Sequence, residues 1–214
     1  MARAHVEKLG DTVYFYKIGL ELFLSSEGYA LVDWLQQRKR QVFLDLKFFD
    51  VPATVGRAVR QLQGRGIRFL TVHGNDAMLE AAVQEKQDTG ILAVTALTSL
   101  DRGDLKALGF SCNVQELVLS RAKRALEIGC EGVVSSGLEA AALRKFSGTG
   151  FVIVTPGIRP VDNRDDQKRV VDVKTAFQNG ADYIVVGRPI RDAADPAAAA
   201  AAIQQSIRQA MGEN

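Results

Sequence analysis

Apolar positions recur along this chain in two periods. Over residues 42–48, VFLDLKF, they alternate as in a strand. Val42, Leu44, Leu46 and Phe48 share one face, and Phe43, Asp45 and Lys47 share the other. The first face is wholly apolar. The second carries a carboxylate and an ammonium two residues apart, pointing the same way. Asp50 follows the strand, and Pro52 and Thr54 open a helix. Charge on one face of a strand ordinarily marks the half-solvated edge of a sheet. Two features of the chain oppose that reading. Other strands end in polar groups at the same end, and strand and helix patterns alternate throughout.

The pattern predicts the end of a helix at 3–9, a strand at 13–18 and a helix at 25–38 with Trp34 and Leu35 inward. After the strand at 42–48 come a helix at 54–63, stopped by Gly64 and Gly66, a strand at 69–73 and a helix at 76–87. A strand at 91–97, a short helix near 104–108 and a long helix at 114–128 follow, the last with Arg121, Lys123 and Arg124 on a solvated face. The chain then runs through a strand at 132–135, a helix at 138–145, strands at 151–155 and 183–186 with a helix at 171–179 between them, and a final helix. Asp195 and Pro196 cap that helix, so the alanine tract at 197–202 reads as helical rather than low-complexity.

Strands return every ~20–40 residues, the size of a βαβ unit, which implies a parallel sheet with right-handed crossovers. A (β/α)₈ barrel and a doubly wound sheet both fit. No glycine-rich dinucleotide fingerprint follows an early strand, so the barrel leads. No linker, charge block or shift of composition divides residues 1–214, so a single domain is expected. Only seven strands are found, and the chain opens inside a helix. The first barrel strand is therefore expected ahead of residue 1, in a native chain longer by about 10–20 residues and carrying an aspartate near that strand's carboxyl end.

Composition narrows the classes. The 214 residues are 47% hydrophobic and 24% charged, ordinary for one domain with a sizeable core. A net charge of +2 argues for neither a nucleic-acid nor a membrane surface. Cys112 and Cys130 lack metal-ligand spacing and read as buried reduced thiols of a cytoplasmic protein. No apolar run reaches transmembrane length, and no signal peptide is visible.

In barrels of this kind the active site lies at the carboxyl ends of the strands. Those ends carry Lys17, Asp45, Lys47 and Asp50, His73, Thr98, Ser135 and Ser136, the run from Thr155 to Arg159, and Gly187 with Arg188. Loops after the last two strands often bind phosphate. TPGIRP offers backbone N–H groups and Arg159. VGRP offers close backbone approach at Gly187 and the guanidinium fork of Arg188. His73 reads as a hydrogen-bonded core residue rather than a catalyst. No His, Cys, Asp and Glu set has metal spacing, so no metal is expected, and no serine sits in a nucleophile elbow. Two lysines and two carboxylates in a barrel mouth make an alternating charge array. A protonated lysine there is a proton donor, and a carboxylate beside it repels an anionic substrate group. Joined to a phosphate handle, the set suggests decarboxylation of a phosphorylated substrate.

FYKIGLELF (15–23), FLDLKFFDVPATV (43–55), LTS (97–99), TPGIRP (155–160) and VGRP (186–189) together resemble orotidine 5′-phosphate decarboxylases of the bacterial type. The resemblance runs from about residue 6 to the end. It implies a homodimer of (β/α)₈ barrels that converts OMP to UMP without cofactor, the last step of de novo pyrimidine synthesis. By motif match, Lys47 would protonate carbon 6 of the ring after CO₂ leaves, and Asp45 would lie beside the departing carboxylate. Lys17 would bind the ribose and join the charge array. Asp50 and Thr54 would reach the partner subunit's site. Thr98 would lie by the pyrimidine. Arg159, Gln167, Gly187 and Arg188 would hold the phosphate, with Gln167 on a closing loop at 161–168. The departure is at the front: the family opens with a strand ending in a ribose-contacting aspartate, and this sequence starts after it. Two alternatives stay open. One is a magnesium-dependent sugar-phosphate lyase of the same superfamily, such as hexulose-phosphate synthase or keto-gulonate-phosphate decarboxylase, which shares the D-x-K-x-x-D strand. The other is a non-catalytic nucleotide binder.

Overall fold

The computed structural model describes residues 1–158 and 171–212. Its elements are α1 (Ala2–Leu9), β1 (Phe15–Gly19), α2 (Leu20–Leu24), α3 (Gly28–Gln37), β2 (Gln41–Phe48), α4 (Pro52–Arg60), β3 (Ile67–His73), α5 (Asp76–Glu85) and β4 (Gly90–Val94). They continue with α6 (Arg102–Ala107), α7 (Val114–Ile128), β5 (Gly132–Val134), α8 (Ala140–Ser147), β6 (Val152–Thr155), α9 (Val173–Gln178), β7 (Tyr183–Ile184), α10 (Arg188–Arg191) and α11 (Pro196–Met211). Among the described residues seven strands, β1 to β7, follow one another in chain order in the sheet. This is the α/β class expected of a (β/α) barrel that lacks its first strand.

Internal packing groups the chain into two compact units. One comprises Tyr14–Thr95 and Ser120–Val133; the other comprises Met1–Val13, Ala96–Leu119 and Val134–Asn214. In the first unit, β1 pairs in parallel with β2, placing Gly19 opposite Asp45, and β2 pairs with β3, which pairs with β4. The strands are covered on both faces, and Val42, Leu44, Phe69, Leu70, Ile91 and Leu92 are all buried. The Phe69 ring lies 5.8 Å from Phe15 and 6.2 Å from Phe43. Outside the sheet, Arg60 of α4 donates through Nε and Nη2 to the two carboxylate oxygens of Glu85 in α5.

In the second unit, β6 pairs with β7, matching Val154 to Tyr183 and Thr155 to Ile184. A cluster of Ile158, Val173, Ala176 and Ala181 packs with Ile203 and Ile207 of α11. The expected cap of that last helix forms: the Asp195 carboxylate accepts from the Ala198 N–H at 3.0 Å. Gly212, left-handed at φ 76°, closes the helix.

Several boundaries differ from the pattern. The helix expected at 25–38 begins only at Gly28, behind the short α2. A Cβ at residue 28 would lie 1.9 Å from the Phe23 carbonyl oxygen, so this close crossing needs glycine and breaks the helix there. Leu35 is buried, but Trp34 is half-exposed and carries the Arg38 guanidinium 3.9 Å over its ring. The strand expected at 91–97 stops at Val94. Arg121 does not share the solvated face of Lys123 and Arg124; it turns inward and donates to the Thr95 carbonyl at 2.7 Å. The last strand is two residues long, because the chain turns at Gly187 into α10. Cys130 is buried, and burial pushes its thiol up to about 12, whereas Cys112 is only half-buried.

Candidate functional site

The strand β2 is no sheet edge, since it is bonded on both sides by β1 and β3. Its second face is therefore interior. The Asp45 side chain is only 13% exposed, against 30% for Lys17 and 38% for Lys47. Such a carboxylate is tolerable only if its oxygens are taken up. Lys47 Nζ binds Oδ1 at 2.7 Å and Lys17 Nζ binds Oδ2 at 3.2 Å. The Thr71 hydroxyl of β3 donates to Oδ1 at 3.1 Å. Burial pushes Asp45 up, but the charges of Lys17 and Lys47 and their hydrogen bonds outweigh it, and the carboxyl lies below its ordinary value. The array holds two ammonium groups against one carboxylate, so it presents net positive charge to an anionic ligand.

The alternation that predicted this face fails at one point. Lys47 has a left-handed backbone, φ 50°, and the register of β2 against β3 slips between Leu44 and Phe48. For a side chain with a Cβ this conformation costs about 1–2 kcal/mol. It turns the Lys47 N–H onto Thr71 Oγ1, at 2.9 Å. Local irregularity of this kind re-aims a side chain within a sheet.

His73, at the end of β3, is not the hydrogen-bonded core residue expected. Its Nδ1 is buried with no hydrogen-bond partner, and its ring meets Phe49 edge-on at 5.0 Å. Burial, then the charges of Arg121 and Lys47, hold its pKa below the usual histidine value. Asp50 and Thr54 stand apart from the array. The Asp50 carboxylate accepts from the Val51 N–H at 2.7 Å, and the Thr54 hydroxyl accepts from Arg57 at 3.1 Å. Both contacts are local.

The other expected ligands belong to the second unit. Thr98 is half-buried in the segment after β4. Gly187 is exposed, and a Cβ there would meet nothing within 4 Å, so open space lies beside its backbone. Arg188 is half-buried as the first residue of α10. At the ends of β5 and β6, Ser135 Oγ and Thr155 Oγ1 are buried without hydrogen-bond partners. Arg159, Gln167 and the segment 161–168 lie outside the described residues. Among the described residues no three His, Cys, Asp or Glu side chains group as a metal site, and no helix is long and apolar enough to cross a membrane.

The structure thus brings together Lys17, Asp45 and Lys47 and adds Thr71, which the pattern did not single out; it also turns Arg121, expected on a solvated face, inward to the Thr95 carbonyl. Thr71 left a signal: it is the lone hydroxyl in the buried run IRFLTVH. Arg121 left none, because helical spacing does not separate an inward guanidinium from its solvated neighbours.

Comparison with known proteins matches residues 2–203 to the model of the orotidine 5′-phosphate decarboxylase / HUMPS family. The chain is 66% identical over 209 residues to the orotidine 5′-phosphate decarboxylase of Methylococcus capsulatus, covering 97% of this chain and 86% of that protein. It is 50% identical over 216 residues to the one from Xanthomonas euvesicatoria, covering 100% of this chain and 89% of that protein. The crystal structure of the Lactobacillus acidophilus orotidine 5′-phosphate decarboxylase superposes with a TM-score of 0.86 at 36% identity, over 96% of this chain and 92% of that one.

Proposed function

The chain belongs to the orotidine 5′-phosphate decarboxylase / HUMPS family, and we infer from this, with the geometry of β2, that it decarboxylates orotidine 5′-phosphate to UMP. The observation that carries the reading is the Lys17–Asp45–Lys47 array, two lysines closed on a largely buried carboxylate. The full-length identity to proteins named for this activity favours it over a sugar-phosphate lyase or a passive binder. The unbroken family match over 2–203 supports one barrel domain.

The chemistry follows from the charges. The substrate carboxylate enters beside Asp45, which cannot move away because both its oxygens are held. That like-charge contact eases as the bond from carbon 6 to the carboxylate breaks and neutral CO₂ departs. The electron pair stays on carbon 6. The Lys47 ammonium stabilises it and delivers its proton there, giving UMP, and the amine regains a proton from solvent. Lys17 holds the ribose and keeps Asp45 paired. Thr98 lies by the pyrimidine. Arg159, Gln167, Gly187 and Arg188 take the phosphate, whose binding energy lowers the barrier at the ring.

The enzyme works as a cytoplasmic homodimer in which Asp50 and Thr54 complete the partner's site. Two observations support this: neither residue joins its own chain's array, and Leu20, Leu24, Phe49 and Val51, just past β1 and β2, are exposed apolar side chains. An absorbance assay of OMP conversion with chelator present tests the activity. Turnover unaffected by chelator is expected. Absence of turnover, or its loss with chelator, overturns the reading.

A further inference from the structure

We propose that Thr71 is a positioning residue that sets the proton donor, its hydroxyl locking the Asp45 carboxylate and the left-handed backbone of Lys47 into one closed ring of hydrogen bonds. Three hydrogen bonds complete the ring. The Lys47 N–H donates to Thr71 Oγ1 at 2.9 Å, Oγ1 donates to Asp45 Oδ1 at 3.1 Å, and Lys47 Nζ donates to that same oxygen at 2.7 Å. A hydroxyl has one hydrogen. Spending it on Asp45 turns the lone pairs toward the Lys47 N–H, so each bond orients the other. Thr71 is wholly buried, and the Asp45 side chain is only 13% exposed.

Lys47 needs such a device. Its φ of 50° is unfavourable for a lysine, and within a parallel sheet its N–H would ordinarily bond a neighbouring carbonyl. Here the register slip removes that partner and Oγ1 replaces it. Valine, with the same shape and no hydroxyl, would leave the Lys47 N–H and one lone pair of Asp45 without partners. The ammonium, still paired with Asp45, would then shift with it from the point where carbon 6 is protonated. Serine would keep the hydroxyl.

The inference rests on the proposed decarboxylation for its kinetic readout, so the test has two arms. In the first, T71V is expected to lower kcat on OMP by about 10–100-fold, the loss of one hydrogen bond to a charged group. KM and UMP affinity should stay within about threefold, and T71S should recover kcat to within about threefold of the parent. Loss of UMP affinity in parallel with kcat, or no rescue by serine, would overturn the assignment and leave Thr71 a packing residue. In the second arm, NMR reads exchange of the Lys47 amide in the parent and both variants. Protection in the parent and T71S, with exchange at least tenfold faster in T71V, supports the ring; equal exchange in all three overturns it. If the parent shows no OMP turnover, the decarboxylase reading fails while the amide arm still decides the role of Thr71.

Discussion

Two regions of the molecule contrast. The end of β2 is built before any ligand arrives: Asp45 has three donors, Lys47 is strained into place, and Thr71 ties the two. The turn from β7 into α10 is not. There the strand is two residues long, Gly187 is exposed, and its backbone faces open space. The difference fits the work proposed for each. Groups that act on a fleeting charge must be oriented in advance, because reorganisation during the reaction would consume the stabilisation they offer. A handle for a stable dianion has only to be accessible, since the ligand itself supplies the ordering charge.

The largest test breaks the first region. Lys47→Ala removes the proposed acid and is expected to lower turnover by about 10²–10⁴-fold or more. UMP affinity should stay within about tenfold, because the phosphate grip carries ground-state binding. Retention of a tenth of parental turnover would show that the acid is misassigned.

A second test asks whether that region is complete in one chain. Lys47→Ala and Asp50→Ala chains should each be inactive alone. In an equal mixture after subunit exchange, half the dimers are mixed, and one site of each carries neither lesion. Activity should return to about one quarter of the parental level. No recovery, with exchange verified by mass, would show that Asp50 does not complete the partner's site.

Next, Arg188→Ala should act on binding. Losing charge-assisted hydrogen bonds worth about 1.5–3 kcal/mol raises KM for OMP by roughly 10–100-fold. OMP lacking its phosphate should bind both forms alike. A variant that lowers kcat alone would erase the contrast between handle and reaction centre.

Openness at Gly187 is not looseness of its unit. A Cβ at Gly137 would lie 2.4 Å from Val171 Cγ2 and 3.3 Å from Thr155 Cγ2. Gly137→Ala is therefore expected to cost about 1–3 kcal/mol by overpacking, read by denaturant unfolding.

The smallest effects are in pH. His73 is held neutral by burial and by Arg121 and Lys47, so its folded pKa lies below the ordinary 6.5. The unfolded chain then binds more protons between the two values, and stability falls as pH drops from 6.5 toward the folded value. In His73→Phe that segment of the slope should flatten. Asp45, also lowered from 3.8, adds stability above that value that is lost as pH falls through its folded pKa. A stability curve indifferent to His73 would argue that its ring is as solvated folded as unfolded.

Periodicity and side-chain type alone determined the succession of strands and helices, the shared face of Asp45 and Lys47, and the cap at Asp195. Each depends on neighbours within a few residues, where the geometry of strand or helix dictates who faces whom. The motifs at 43–55 and 155–160 also carried the family. What tertiary structure decided lies where distant segments set the outcome. Arg121 turns inward because the Thr95 carbonyl, 26 residues back, is there to receive it. The left-handed Lys47 exists because Thr71, 24 residues on, accepts its N–H. Alternation along one strand places a side chain on a face, but the partner that aims it comes from another strand, and local periodicity holds no record of that partner.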